Sequence, residues 1–416
     1  MPAFTLYIGI DWATQTHQVC VMDAYGAILR EFVVDHTGES VREFLRSLEA
    51  ASVEPSKIAV GIEVPRGPIV EALLERGYAV FAINPKQLDR FRDRHSVAGA
   101  KDDRRDAFVL ADSLRTDQHC FRRLSIEPAT VVRLRELARA EQEAGEELRR
   151  VANQLFQLLL RYYPQVLELC RFPDEPWIWG LLEIAPTPEQ AHRLTLARLR
   201  NMLTKHRIRR VTAEDVREIL GRAALPVATG VAEAISERVL LMLPRLRVAY
   251  QQRKQIVERM EALFAHISGA EDESCGSLRR DVAILISIPG VGRVIAAALI
   301  TEAFDALSQR DYDALRAHGG TAPVTRRSGK TTQIVMRYGC NQRFRTALYH
   351  WARTSVMHEE RSKHHYARLR GVGHKHARAL RGVADRLLAL LVAMLKSGQL
   401  YDGARRHISP QIASAA

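Results

Sequence analysis

Short apolar runs alternate with amphipathic stretches over roughly the first fifth of the chain. Five strands are predicted, at residues 4–12, 17–22, 32–34, 58–62 and 78–83, with helices at 41–48 and 69–75. The strand at 58–62 is wholly apolar, which is typical of a strand buried on both faces. Strands separated by helices predict an α/β sheet, and sheets of this kind place their chemistry at the strand ends.

Two long helical segments with heptad spacing form the middle of the chain. One runs over residues 134–158 with Glu141 as the only polar residue in its apolar seam. The other runs over 235–267, where Arg253 breaks the seam and Pro244 is expected to kink the helix. Two such helices predict an antiparallel hairpin, a dimer interface, or both, and the spacing does not decide between them.

The remaining chain is mainly helical. Thr187 and Thr212 are predicted helix starts in the insert between the heptad segments. At 285–300, LISIPGVGRVIAAALI is expected to form a tight turn between two helices. The turn resembles a helix-hairpin-helix, in which Gly290 and Gly292 would present backbone N–H groups to a phosphate. The alternative is a turn between core helices.

Composition narrows the class of protein. The chain has 416 residues, which suggests two or three domains. No apolar run approaches the ~20 residues of a membrane span, and no signal segment opens the chain, so we expect a cytoplasmic protein. The five cysteines are scattered and form no C-x-x-C pair, so the pattern indicates neither a disulfide framework nor a zinc site.

The net charge of +13 is concentrated near the end of the chain. Residues 326–381 contain fourteen Lys or Arg but only two acidic residues, together with six histidines. Such a block is typical of a nucleic-acid surface, although a solvated helix face is the alternative. The candidate nucleic-acid-binding residues are Lys101, Arg104, Arg105, Gly290, Gly292, Arg326, Arg327, Lys330, Arg337, Arg343 and Arg345.

Four acids form a candidate metal site. Asp103 and Asp106 in GAKDDRRDAFVLADSLR share one helix face, and their repulsion favours a cation between them. Asp11 ends the first strand and Glu63 follows the strand at 58–62, so the four acids are expected to converge at one edge of the sheet. Each could instead be a helix cap or turn residue. Taken together they favour Mg²⁺, which prefers oxygen ligands.

Ser328 lies in a glycine-containing, electropositive turn beside Arg326, Arg327 and Lys330. A serine is a weak nucleophile unless a base or metal activates it. From the residues alone an ordinary loop serine is the better interpretation, and Thr325, Thr331 and Thr332 are chemically equivalent candidates.

Six segments together resemble the DEDD-type insertion-sequence transposases, the bridge-RNA-guided recombinases of mobile elements, over almost the whole chain. They are YIGIDW with Asp11, GIEVPRG with Glu63, KDDRRDAFVLAD with Asp103 and Asp106, IPGVG, GGTAPVTRRSGK with Ser328, and NQRFRTALYHWA. The resemblance implies an RNase H-like (RuvC-like) amino-terminal domain whose four acids bind Mg²⁺. It also implies that Ser328 becomes covalently joined to DNA.

The resemblance implies partners as well. These are donor and target DNA, an element-encoded guide (bridge) RNA, and further copies of the chain in a homo-dimer or homo-tetramer, in which Ser328 and the acids meet across subunits. No membrane association is expected, and DNA binding would place the protein at the nucleoid. A Holliday-junction-resolvase-like nuclease that uses water, and a non-catalytic nucleic-acid-binding protein, are the alternatives.

The expected fold class is therefore α/β plus α. An RNase H-like domain is predicted at 1–124, a helical coiled-coil region with its insert at 125–275, a mainly helical transposase domain at 276–405 and a tail at 406–416. The family usually has Ser or Thr where this chain has Asp102. Asp103 matches the D-x-x-D register of the family, and Asp102 is the alternative third ligand.

Overall fold

The chain forms two compact units, Met1–Pro128 and Ala129–Ala416. The computed structural model describes residues 4–95, 102–269, 276–329 and 331–403. The first boundary lies four residues beyond the predicted end of the first domain. The further division of the second unit near residue 275 stays a prediction.

The first unit contains a six-stranded sheet in the order β3-β2-β1-β4-β5-β6. Its strands are β1 (Leu6–Trp12), β2 (Thr16–Asp23), β3 (Ile28–Asp35), β4 (Ile58–Ile62), β5 (Ala79–Ala82) and β6 (Arg122–Arg123). β1, β4 and β5 are parallel, whereas β2, β3 and β6 pair antiparallel with their neighbours. All five predicted strands are confirmed, and the two-residue β6 was not predicted.

Helices cover both faces of this sheet. They are α1 (Gly38–Glu49), α2 (Pro68–Glu75), α3 (Pro85–His95) and α4 (Asp103–Asp117). On one face, Ile10 and Ile62 pack with Phe44 of α1 and Leu73 of α2. On the other face, Tyr7, Ala59 and Phe81 pack with Val109, Leu110 and Leu114 of α4. Burial on both sides explains the continuous apolar character of β4. The α3 helix was not predicted.

Glycine in β1 allows α4 to lie directly on the sheet. A Cβ atom at Gly9 would stand 1.9 Å from the carbonyl oxygen of Ala107 and 2.6 Å from the nitrogen of Ala111. In β4, a Cβ atom at Gly61 would stand 3.0 Å from the carbonyl oxygen of Leu110. Two backbones are therefore in contact here, as only glycine permits.

The direction of α4 follows from a contact near its end. Arg115, in its last turn, lies against Gly26 in the turn between β2 and β3. That turn follows Asp23, which pairs with Leu6 at the start of β1. The last turn of α4 therefore lies near the start of β1, and its first turn lies near the carboxyl end of β1.

Two long helices organise the second unit. These are α5 (Ala129–Tyr162) and α11 (Val231–Gly269), the latter continuous through Pro244. Val131 of α5 shares a core with Ile267 of α11, and Leu155 shares another with Val239, so the helices are antiparallel. The hairpin alternative is confirmed, and a dimer interface stays a prediction.

The two polar interruptions of the heptad seam contact each other. Arg253 Nε donates to Glu141 Oε1 at 2.7 Å. The Glu141 side chain is 7% exposed and that of Arg253 is 47% exposed. A charged pair inside an apolar seam admits one alignment of the two helices and opposes a shifted one.

The insert between α5 and α11 packs on one end of this helix pair. Its helices are α6 (Gln165–Leu169), α7 (Pro176–Ile184), α8 (Pro188–His192), α9 (Leu196–Lys205) and α10 (Ala213–Leu220). Trp177 and Trp179 are fully enclosed in its core. Both predicted helix starts are confirmed: the Thr187 side chain caps α8, and Thr212 forms a capping box with Asp215.

The last part of the unit surrounds the other end of the pair. Its helices are α12 (Gly276–Ser287), α13 (Arg293–Glu302), α14 (Phe304–Ser308), α15 (Tyr312–Gly319), α16 (Gln342–His358), α17 (Glu360–Gly371) and α18 (His376–Ser397). A separate hairpin is formed by β7 (Val324–Ser328) and β8 (Thr331–Val335). Phe344 and Trp351 are buried in the core. Within the described ranges, no helix combines the length and apolar character needed to cross a bilayer.

Candidate functional site

The register of the parallel strands brings two of the acids together. Ile10 of β1 pairs with Ile62 of β4, and Asp11 and Glu63 are the next residues along each chain. Neighbouring strands lie about 4.8 Å apart, so both acids stand at the same carboxyl edge of the sheet. Because side chains alternate along a strand, Asp11 shares the face of Gly9, which is the face covered by α4. Both acids are half-buried.

Asp106 of α4 lies on the side of the sheet that carries Asp11. It precedes Ala107, whose backbone contacts Gly9, and it lies toward the carboxyl end of β1. Its side chain is 2% exposed. Both carboxylate oxygens accept hydrogen bonds from Arg92 of α3, from Nε at 2.7 Å and from Nη2 at 2.9 Å.

Arg92 supplies the positive charge that offsets Asp106. The Arg92 side chain is 18% exposed and also donates from Nη1 to Asp89 at 2.6 Å. Burial lowers the pKa of Arg92, but its bonds to Asp106 and Asp89 outweigh burial and raise it. Sequence reasoning missed this residue, because nothing in its local context distinguishes it from the other arginines of α3.

The start of α4 separates the roles of its two neighbouring aspartates. Asp102 is the N-cap, where its side chain accepts from the Arg104 nitrogen at 3.4 Å and its carbonyl accepts from the Asp106 nitrogen at 2.9 Å. Asp103 is the first helical residue, and it is exposed. The capping role is the alternative that the sequence left open, and the structure gives it to Asp102. Arg104 forms an ion pair with Glu31, Arg105 is half-buried, and Lys101 lies outside the described residues.

The acids match a divalent cation in chemistry, although they do not form a closed ligand cage. In the part of the chain that the structure describes, no three His, Cys, Asp or Glu side chains are grouped closely enough to hold a metal ion. The carboxylates at this edge are the oxygen donors that Mg²⁺ prefers. A buried carboxylate needs a counter-charge, and Arg92 provides it for Asp106 here. A cation at Asp106 would therefore replace this guanidinium.

An aromatic and imidazole cluster adjoins the same end of β1. Trp12 stacks on His17 with ring centroids 4.3 Å apart, and His17 Nε2 lies 3.0 Å from His36 Nδ1. His17 is fully buried. Burial, and to a smaller extent His36, lowers the pKa of His17. Neither histidine was singled out from the sequence.

Ser328 stands at the tip of the β7–β8 hairpin. It pairs with Thr331 across the two-residue tip, where Gly329 has a φ of +54°. Ser328, Arg326 and Arg327 are exposed, and Lys330 lies outside the described residues. The turn expected here is present, but it joins two strands that were not predicted. Ser328 is therefore an exposed residue at the end of a hairpin.

The two glycines of the IPGVG turn have different surroundings. A Cβ atom at Gly290, whose φ is +86°, would stand 2.7 Å from Ser355 Oγ in α16. Gly292 is the N-cap of α13 without a side-chain cap, and no atom would lie within 4 Å of its added Cβ. The predicted turn between two helices is confirmed. Gly290 serves helix packing, whereas Gly292 leaves space at the start of α13.

The other basic candidates are partly engaged within the protein. Arg343 forms an ion pair with Glu143 at 3.1 Å, and Arg337 Nε donates to the Ala322 carbonyl at 3.4 Å. Arg345 donates to the Arg337 carbonyl. Arg337 and Arg345 therefore stabilise the segment that joins the hairpin to α16, whereas Arg343 connects α16 to α5.

Two protein-family models match this chain. A protein-family model described as "Transposase" matches residues 8–164, which include all four acids. A second, described as "Transposase IS116/IS110/IS902 family", matches residues 282–367, which include Ser328.

Curated relatives extend the match to the whole chain. A "Mini-circle putative transposase for IS117" from Streptomyces coelicolor is 32% identical over 423 residues, covering 100% of this chain and 99% of its own length. A "Putative transposase y4uE" from Sinorhizobium fredii is 44% identical over 220 residues, covering 52% of this chain, which spans only 61% of that relative. An uncharacterized 44.8 kDa protein of insertion element IS116 from Streptomyces clavuligerus is 27% identical over 96% of each chain. The full-length match to the IS117 protein and the two family models show that this chain belongs to the IS110/IS116 family of DEDD insertion-sequence transposases.

Proposed function

We propose that this chain cuts and rejoins DNA through a covalent phosphoserine link at Ser328, in a reaction that depends on Mg²⁺ and is directed by a guide RNA. The observation that carries the proposal is the shared carboxyl edge of β1 and β4, where Asp11 and Glu63 stand beside the first turn of α4. The sheet order and its carboxylate edge also support an RNase H-like fold for the first unit.

Asp11, Glu63, Asp103 and Asp106 would hold the cation. When bound, Mg²⁺ lowers the cost of charge on the scissile phosphate and favours loss of the serine proton. Asp103 is the better third ligand, because the Asp102 side chain caps α4. Arg92 releases Asp106 in this proposal and stays near Asp89, its second partner.

Ser328 Oγ would attack the scissile phosphorus. A bond forms between Oγ and phosphorus, the bond from phosphorus to one deoxyribose oxygen breaks, and that oxygen leaves as a free hydroxyl on DNA. The phosphodiester energy is kept in the serine link, so a hydroxyl of another strand can reverse the step without a high-energy cofactor. The exposed Arg326 and Arg327 would offset phosphate charge beside the hairpin tip.

Guide RNA pairing with donor and target DNA would supply sequence specificity, while the protein reads backbone and shape. The exposed hairpin arginines and the open start of α13 at Gly292 support backbone contacts of this kind. Such contacts carry no base sequence information.

The test is a denaturing gel with the full chain, Mg²⁺, RNA from the region flanking its gene, and labelled donor and target DNA. A protein–DNA adduct is expected that Ser328→Ala abolishes and that Thr331→Ala, at the other side of the same tip, retains. Asp103→Asn is expected to abolish the adduct, whereas Asp102→Asn retains it because Asn also caps helices. Strand cleavage that forms no adduct and is undiminished in Ser328→Ala would support the water-using nuclease instead.

A further inference from the structure

A second basic site lies on α17 and α18, apart from the hairpin tip. Arg361, His364, His365 and Arg368 follow one another at helical spacing on one face of α17, and Arg386 of α18 faces them. These five side chains line an open depression of about 280 Å³. Arg386 lies beyond the basic block at 326–381, so the sequence count did not include it.

The floor of the depression is held in place by hydrogen bonds. Arg368 Nη2 lies 3.3 Å from His365 Nδ1, and His365 makes a second bond to the backbone of Gly382 in α18. Burial, followed by the charges of Arg386 and Arg368, lowers the pKa of His365. The neutral ring accepts from one arginine and leaves the guanidinium groups as the charges of the site.

Three acids near the depression have assigned partners, and one of those partners, His364, belongs to the lining. Glu359 caps α17 through the nitrogens of Arg361 and Ser362, and Glu360 lies 3.4 Å from His364. Asp385, next to Arg386, binds Arg316 of α15 at 2.7 Å. Within the described ranges, neither Arg368 nor Arg386 forms an ion pair with a carboxylate, so these two guanidinium groups have no acidic counter-charge there.

Three guanidinium groups, those of Arg361, Arg368 and Arg386, line the depression, and an anion among them would offset their mutual repulsion. Arginine forks match the oxygens of a phosphate, and every charged group of the depression is a donor. The lining contains no Phe, Tyr or Trp side chain. The three guanidinium groups therefore give the site the chemistry for a backbone phosphate, a contact that carries no base sequence information.

We propose that the depression between α17 and α18 binds a backbone phosphate of the nucleic acid, independently of base sequence. This inference rests on the proposed function, because it names one contact of the polynucleotide that the chain binds. The phosphodiester can belong to DNA or to the guide RNA, and the test distinguishes these two sources.

The test measures binding of the full chain to labelled duplex DNA and, separately, to RNA from the region flanking the gene, over a range of salt concentrations. Arg368→Gln and Arg386→Gln are each expected to weaken binding about tenfold, since a charge-assisted bond is lost. The double variant is expected to lower the slope of log affinity against log salt by about one. A loss confined to one polymer identifies the source of the phosphate.

Arg378→Gln is the matched control, because Arg378 is an exposed arginine of α18 that does not line the depression. It is expected to lower the logarithm of the affinity by less than half the amount that Arg386→Gln does. Equal losses in Arg378→Gln and Arg386→Gln, or unchanged binding in the double variant, would overturn the phosphate site alone. Failure of the unaltered chain to bind either polymer would overturn the proposed function itself. Thermal unfolding verifies that the exposed substitutions leave the fold intact.

Discussion

Replacing Arg92 by Met tests the acidic edge without measuring transposition. Met has similar length and removes only the guanidinium that binds both oxygens of Asp106. The carboxylate would then remain almost fully buried without a counter-charge. Asp89, the other partner of Arg92, is exposed, so the loss of its ion pair costs little free energy of unfolding.

The expected loss of stability in Arg92→Met follows from the burial of both Arg92 and Asp106. Removing one member of a buried ion pair costs about 3–5 kcal/mol, and the Arg92 side chain is itself only 18% exposed. A domain of this size loses about 4 °C for each kcal/mol. The melting temperature of the first unit is therefore expected to fall by about 10 °C or more.

Mg²⁺ is expected to reverse this loss selectively. In the variant the cation meets a carboxylate with no competing guanidinium, whereas in the unaltered chain it must displace Arg92. A cation at a hundred times its dissociation constant adds about 2.7 kcal/mol, which is most of the deficit. The assay is thermal unfolding with and without Mg²⁺, followed by near-ultraviolet circular dichroism.

Two controls make the outcome specific. Arg94 lies on the same helix as Arg92, and Arg94→Met removes an exposed ion pair with Asp117 of α4. It should therefore cost less than about 1 kcal/mol and leave the response to Mg²⁺ unchanged. Asp106→Asn should show little Mg²⁺ stabilisation. If Arg92→Met unfolds at the temperature of the unaltered chain, Asp106 is not held by Arg92. If Mg²⁺ raises the melting temperature of both proteins by the same amount, Asp106 is not a ligand for the cation.

Two further predictions concern stability. Arg253→Ala leaves Glu141 buried and unpaired and should cost about 3 kcal/mol in urea unfolding. Glu141→Ala leaves only the half-exposed Arg253 and should cost about 1 kcal/mol, so equal costs would refute the asymmetry. Burial holds the pKa of His17 below its ordinary 6.5, so the unfolded chain binds this proton more tightly. The free energy of unfolding should therefore fall as the pH drops below about 6.5. His17→Gln should remove part of that dependence, and an unchanged pH profile would contradict it.

The elements with strong local periodicity were predictable from the sequence. The strand at Ile58–Ile62 has its predicted limits, and the heptad segments lie within α5 and α11. The hairpin at Ser328 was missed because its strands are mostly polar and exposed, so they lack the apolar alternation that identifies a strand. The two residues of β6 are too few to form a pattern.

The acids could be found because each follows a recognisable strand or starts a helix. The counter-charge of Asp106 could not be found in this way, since Arg92 contacts Asp106 only through the packing of α3 on α4. Glu141 and Arg253 were each recognised as interruptions of a seam, but local spacing says nothing about contact across 112 positions. The depression between α17 and α18 could not be predicted either, because it depends on α18 placing Arg386 opposite α17.

The contact of α4 with Gly9 has a consequence for how this protein can diverge. Because one backbone rests on another, the offset between the strand that carries Asp11 and the helix that carries Asp106 is set without any side chain as spacer. Apolar residues elsewhere in the two cores can be exchanged and repacked while that offset is kept. Mutational drift is thereby confined to parts of the domain that do not set the geometry of the acids. This is compatible with identities of only 27% and 32% to full-length relatives.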